Sequence, residues 1–226
     1  MDVRNAGGRR KLEPDPQVRV AILSAAAEIV RAEGVGALSI AQVLSRSQLS
    51  TRAFYRHFDA KDQLVAALFL EMARVEMQRL RQLMAAAPDP VRAVAAWIDG
   101  RLDLAFNDQV RSDLRKMSLE AQSQMFAAPE VVGPAYDEIL RPLVEQLRRG
   151  RDLGLFSDID PATEALSIQG VVWSNIERQW ADVGCNLSDL RCRVHRFCLR
   201  GLGVAAETIA DVLADAPNAE LSERKA

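Results

Sequence analysis

The stretch LSTRAFYRHFDAKDQL, residues 49–64, gathers Arg52, Arg56 and Lys61, two phenylalanines, Tyr55, and one of the chain's two histidines, His57. Wound as a helix at about 100° per residue, it sorts them by chemistry. Phe54 and Phe58 share one side, suited to a core. Arg52 and Arg56 share the opposite side, with Thr51 and Ala53 at their flanks. Tyr55 and His57 fall at the two borders, rings inward and polar tips outward. A guanidinium fork matches the O6 and N7 acceptors of guanine, so Arg52 and Arg56 are candidates to read bases. Thr51 and Ala53 are short enough to let the backbone approach a groove, where a methyl group can meet thymine. Tyr55, His57 and Lys61 stand where a duplex backbone would run and can hold phosphates. Upstream, Ser39 at a predicted helix N-terminus offers a hydroxyl and free N–H groups to an anion.

Other chemistry finds no constellation. The chain carries no HExxH, GxSxG or Walker pattern and only two histidines, so the clustered acids, bases or ligands of a helical enzyme are missing and none is expected. Cys185, Cys192 and Cys198 are odd in number and lack CxxC spacing, which gives neither a disulfide framework nor a zinc site. Cys192-x-x-His195-x-x-Cys198 looks like a ligand set on paper, yet on a helix its two cysteines point about 120° apart. They read as packed thiols beside a partly buried histidine. No metal and no cofactor is expected.

The elements that must position the basic helix are themselves helical. Apolar periodicity is close to 3.6 nearly throughout, with no convincing period-two strand, so the fold class is all-α with about nine helices. Asp15-Pro16 supplies an N-cap and a first-turn proline. Val18, Ile22, Ala25, Ile29 and Val30 mark one face of that helix, and Gly34 stops it. Ser39 and Gln42 form a capping box, with Leu38 and Val43 as its hydrophobic staple, for a short helix over about 39–46. After a brief turn, Ser50 caps the helix bearing Arg52 and Arg56. Asp59 starts a long helix through Met84. Later helices are expected over about 89–107, 109–126, 130–153, 161–183 and 188–214, from the same periodicity.

Short helix, three-residue turn, second helix is the layout of a helix-turn-helix. At these residues the sequence resembles the tetracycline-repressor (TetR) family. SIAQVLSRSQLSTRAFYRHFDAKDQLVAAL, residues 39–68, follows that family's signature almost position for position, including the Tyr-x-x-Phe and the lysine after it. The resemblance implies three N-terminal helices that bind DNA and further helices that bind a small ligand and form a homodimer. It implies base-reading positions at Thr51, Arg52, Ala53 and Arg56, and phosphate-contacting positions at Ser39, Tyr55, His57 and Lys61. The chain departs from the pattern in its turn, where Leu44, Ser47 and Gln48 replace small residues and a glycine. Arg52 stands where Gly or Pro is frequent. The operator sequence is therefore open.

Charge agrees with a nucleic-acid contact at one end. Residues 1–62 hold ten Lys/Arg against seven Asp/Glu, and residues 63–226 hold nineteen against twenty-four. A basic N-terminal segment on an acidic body confines an anionic partner to that segment. The expected organisation is a basic tail over 1–14, a helix-turn-helix domain over 15–62, a ligand-binding and dimerisation domain over 63–215, and a frayed tail over 216–226. No apolar run reaches the length of a membrane span or a signal peptide, and the expected location is the cytoplasm.

Two groups of residues in the body are candidate surfaces. The helix at 89–107 is apolar on more than one side and should lie in the middle of its domain. Trp97, Arg101, Leu104, Phe106, Met117, Met125, Phe126, Tyr136 and Trp173 either line a cavity for a small hydrophobic effector or form an ordinary core. Arg101, between Trp97 and Leu104, is placed to meet a ligand carboxylate. Leu166, Trp173 and Trp180 recur every seven residues. Val172, Ile176, Trp180, Phe197, Gly201, Val204, Ala205 and Thr208 are read as a homodimer interface, with an intramolecular core as the alternative. Gly201 and Gly203 are costly inside a helix, and the close approach of a two-fold related helix would explain them. A dimer would read two half-sites of an inverted-repeat operator.

Overall fold

The computed structural model describes residues 15–106, 129–181 and 186–215, without the side chains of 104–106 and 180–181. Every regular element among them is helical, as the periodicity predicts. The chain forms two compact units that part between Leu68 and Phe69.

In the first unit, α1 (Pro16–Glu33) begins where the Asp15 carboxylate accepts the Gln17 N–H at 2.9 Å. It ends at Gly34, whose φ of 85° closes the last turn back onto Val30. Ile22, Ala25, Ile29 and Val30 are buried as expected, Val18 is half-buried, and Leu23 and Ala26 complete the inner face. A 3-10 turn (Val35–Ala37) leads to α2 (Ile40–Ser47), which packs against α1. Then come α3 (Thr51–Phe54) and the start of α4 (Lys61–Ala85). Leu64, Val65 and Leu68 of α4 are buried in this first unit. The continuous helix α4 thus begins in one unit and ends in the other.

Gln48 is the one strained residue of the turn between α2 and α3. Its φ and ψ of 55° and 32° are left-handed, and its N–H caps α2 on the Leu44 carbonyl. A side chain in that region costs about 1–2 kcal/mol, and glycine's extra unfolded-state freedom offsets part of any relief. Gln48→Gly is therefore expected to stabilise the first unit by about 0.5–1 kcal/mol in denaturant titration. A destabilised variant would mean that the Gln48 side chain contributes more than its backbone costs.

The second unit contains the rest of α4, α5 (Pro90–Phe106), α6 (Pro129–Asp152), α7 (Pro161–Ala181), α8 (Leu187–Gly201) and α9 (Ala206–Ala214). The helix expected at 109–126 lies outside the described residues. α5 touches α6, α7 and α8, and Val94, Trp97, Ile98 and Leu102 on its different sides are all fully buried. Its two-sided apolar pattern does mark the centre of the domain. Among the described residues no helix is long and apolar enough to cross a membrane.

The last predicted helix, 188–214, is two helices. Between α8 and α9, Gly203 adopts a φ of +76° and its N–H bonds the Arg200 carbonyl at 3.0 Å. Only glycine takes that conformation without steric cost. Gly203 is explained by a turn within one chain, not by a helix of a second copy. Gly201, before this turn, and Ala205 and Thr208, after it, therefore do not share one continuous helix.

Candidate nucleic-acid interface

The helix-turn-helix is fixed by caps that the sequence announces. The Ser39 hydroxyl accepts the Gln42 N–H at 3.2 Å and donates to the Gln42 side-chain oxygen at 2.8 Å. Leu38 and Val43, the staple pair, are both buried. The Ser50 hydroxyl accepts the Ala53 N–H at 3.2 Å and starts α3. Four residues of α-helix are fewer than predicted, but helical turns continue through Arg56, His57 and Phe58, whose N–H groups bond the carbonyls of Ala53, Phe54 and Phe54. The Asp59 N–H bonds the Gln63 side chain at 2.8 Å, and that amide returns a bond to the Asp59 carboxylate at 3.2 Å, ahead of α4.

Aromatic packing orients what these caps hold. Phe54 and Phe58 are 0 % and 3 % exposed, with ring centroids 5.8 Å apart. Tyr55 meets Phe54 edge-on at 5.4 Å, and the Arg19 guanidinium of α1 lies 5.2 Å above the Phe58 ring. Such a cation–π contact ties α1 to the end of the recognition segment. With that side inward, Thr51, Arg52 and Arg56 are exposed and Ala53 is half-buried between them. Neither Arg52 nor Arg56 is paired with an acid among the described residues. A free guanidinium on a helix face has its full donor fork available.

Tyr55 is 52 % exposed despite its ring contact, and His57, Lys61 and Ser39 are half-buried around the same segment. The Ser39 hydroxyl is engaged by Gln42, so an anion at the start of α2 would meet the unpaired N–H groups of the first turn rather than that hydroxyl. Next to it, Ile29, Glu33, Gln42, Ser45 and Arg46 line a surface hollow of about 200 Å³. Arg46 is held 3.6 Å from Glu28 on α1.

This first unit carries a recognisable sequence. Residues 22–68 match the family described as bacterial regulatory proteins, tetR family. This segment is thus similar to the DNA-binding part of the tetR family. The match takes in all of α2, the turn, α3 and the buried start of α4. The chain is 39 % identical over 69 residues to the HTH-type transcriptional repressor Rv3405c of Mycobacterium tuberculosis, a match covering 30 % of this chain and 37 % of that protein. It thus spans little more than a third of the length of the curated relatives it matches. Likeness to solved structures extends much further along the chain. RolR in complex with the ligand resorcinol superposes with a TM-score of 0.62 at 19 % identity, over 89 % of this chain and 95 % of that one. Salmonella enterica GusR gives 0.63 at 19 %, over 86 % and 100 %. FadR from Bacillus subtilis, with stearoyl-CoA, gives 0.62 at 17 %, over 80 % and 98 %. At these identities the likeness establishes a shared fold.

The second unit rearranges the other predicted sites. Trp97 is fully buried and donates its indole N–H to the Ile139 carbonyl at 3.4 Å. Trp173 is buried and Tyr136 half-buried. The side chains of Leu104, Phe106 and Trp180, and all of Met117, Met125 and Phe126, lie outside the described residues. Val172 and Ile176 are 0 % exposed inside the core of one chain, so they are withdrawn from the dimer interface. Val204 is buried too, whereas Phe197, at 67 %, Gly201 and Ala205 are exposed and Thr208 is half-buried. His195 is 1 % exposed and lies 3.2 Å from Asp99. Burial pushes the Cys198 thiol up to about 12, which suits a packed thiol and not a ligand. Cys198 and His195 are therefore core, with the histidine more deeply buried than expected, and Cys192 is half-buried.

Sequence reasoning missed a set of buried charges. Glu76 and Arg101 are 5 % and 4 % exposed and pair at 3.2 Å. On α8, Arg191 lies 2.9 Å from Asp99 and 3.1 Å from Asp103. The Arg191–Asp99 and His195–Asp99 pairs are close in distance but not aligned as hydrogen bonds. Acids four residues apart inside a largely apolar helix, Asp99 and Asp103, are the available signal. Their partners, Arg191 and His195, repeat the same spacing on α8.

Proposed function

We propose that the chain is a sequence-specific, DNA-binding transcriptional repressor, homodimeric on an inverted-repeat operator and released from it by a small hydrophobic effector. One observation carries the reading: within a tetR-like domain, the segment from α3 to Phe58 buries Phe54 and Phe58 and turns Arg52 and Arg56, which have no acidic partner among the described residues, to solvent. Thr51, Arg52, Ala53 and Arg56 then read base edges in a major groove, and Tyr55, His57, Lys61 and the start of α2 hold phosphates. Exposed apolar side chains on α7 and α8, Leu166 at 61 % and Phe197 at 67 %, support a dimer surface there, with Gly201 one turn along α8 from Phe197. Proteins of the same fold hold resorcinol in RolR and stearoyl-CoA in FadR, which supports an effector role for the second unit. The setting would be the cytoplasm.

Titration of a labelled operator fragment at rising salt tests this reading. Two protomers should bind per fragment, with log K falling against log salt at a slope on the order of −4 or steeper, from about 0.9 per neutralised phosphate. A single protomer per fragment, or a flat salt response, would contradict it. A second reading, a DNA-binding regulator with a filled core and no effector, draws on Trp97 and Arg101 being partnered within the chain. Effector binding separates the two.

A further inference from the structure

We propose that Arg101 is the anchor for an anionic effector, one carboxylate on an apolar body, and that Glu76 occupies its place until that effector arrives. The inference rests on the effector-response reading above and names the chemistry of the effector.

The two members of this ion pair are held unequally. Glu76 on α4 has two cationic partners. Arg79, one turn along the same helix, grips it with Nε and Nη2, both at 2.8 Å, and Arg101 on α5 reaches it with Nη1 at 3.2 Å. Burial pushes the Glu76 carboxyl up, but the Arg79 hydrogen bonds and the two arginine charges outweigh it and hold its pKa below the usual carboxylate value. Among the described residues Arg101 has only Glu76. Its Nε has no hydrogen-bond partner among the described residues, and no second acid lies within ion-pair distance of it there. Burial lowers the Arg101 guanidinium below the ordinary arginine value against the pull of Glu76, though an arginine stays charged in any protein. If the pair opens, Glu76 remains held by Arg79, while Arg101 is left as an uncompensated buried charge. Opening therefore requires another anion.

The surroundings set the rest of the ligand. Arg101 shares α5 with the fully buried Trp97, Ile98 and Leu102. Tyr136 is close enough for the Arg101 charge to pull down a phenol pKa that burial raises. An apolar body suits those walls, and a second unpaired charge on the ligand would be expelled by them.

The pair also sits next to a close approach of α4 and α5. A Cβ on Gly100 would fall 2.7 Å from a Leu83 methyl and 2.9 Å from a Leu80 methyl, and Arg79 donates to the Gly100 carbonyl at 2.6 Å. Taking Arg101 from Glu76 removes the buried ion pair between these helices. α4 is the helix that continues from the DNA-binding unit, so this exchange gives an anion a differential hold on it.

Decanoate and 4-phenylbutyrate, each against its uncharged primary amide, are the probes, with calorimetric titration and thermal midpoint of the free protein as readouts. The acids should bind wild type and the amides should not. Arg101→Met should lose acid binding. Glu76→Gln should bind the acids about tenfold tighter, because the internal competitor's charge is gone. A purely structural ion pair would weaken binding in both variants. Equal binding of acid and amide, retained acid binding in Arg101→Met, or no response of wild type to either acid at millimolar concentration overturns the proposal. Should Arg101→Met fail to fold, Glu76→Gln decides alone: unchanged or weaker acid binding overturns it. Operator binding by wild type without acid is measured separately, so failure of the repressor reading and failure of the anion site are distinguished.

Discussion

Replacing Arg52 and Arg56 together by alanine is expected to weaken operator binding by on the order of 100-fold or more while leaving the fold intact. Each guanidinium that reads a guanine bidentately is worth about 1–3 kcal/mol of discrimination, and a dimer loses two of each. Both side chains are exposed, and neither pairs with an acid among the described residues, so the effect on stability should stay within about 0.5 kcal/mol. Fluorescence anisotropy on an operator fragment and a thermal melt on the same preparations give the two numbers. Equal operator affinity in wild type and variant would remove α3 from the interface. A large fall in melting temperature would instead mean that the arginines hold the unit together.

Phe54→Ala should produce the opposite pattern. Its ring is 0 % exposed and touches both Tyr55 and Phe58, and truncating a buried phenylalanine costs about 3–5 kcal/mol. Domains typically have only 5–15 kcal/mol in total, so a loss of that size removes much of the first unit's stability. Operator binding would disappear at ordinary temperature through unfolding, visible as lost helical signal by circular dichroism. A variant that melts like wild type would show that Phe54 does not organise α3. The two changes lie two residues apart and separate contact from scaffold.

Local signals were the ones that could be read in advance. Ser39, Gln42, Leu38 and Val43 act within one helix turn of each other, and Gln48 is forced left-handed by the turn it closes. Phe54 and Phe58 were assigned to the core because four residues of helix bring them back to one side. α5 was placed centrally because two of its sides are apolar. In each case sequence spacing alone fixes the geometry.

What was misread depended on partners far away in the chain. Val172 and Ile176 have the helical spacing of a buried face, but spacing does not say whether the neighbour is the same chain or another copy. Leu166 and Trp173, seven residues apart, differ by only about 20° around the helix. Yet Leu166 is 61 % exposed and Trp173 5 %, because position along α7 decides what covers each. Gly203 was assigned to close helix packing, whereas a turn accounts for it. The Glu76 partner of Arg101 has no signal in the sequence, since nothing local links residue 101 to Glu76. Arg191 and Asp99 are likewise joined only by the packing of α8 on α5.

The central claim is that exposed α3 side chains read DNA sequence as a symmetric pair. Selection of bound fragments from random duplex DNA by the wild-type protein tests it most directly. The account predicts an enriched inverted repeat whose two half-sites each carry a guanine within reach of one arginine pair. No enrichment at low salt, or an enriched single site without two-fold symmetry, would contradict it.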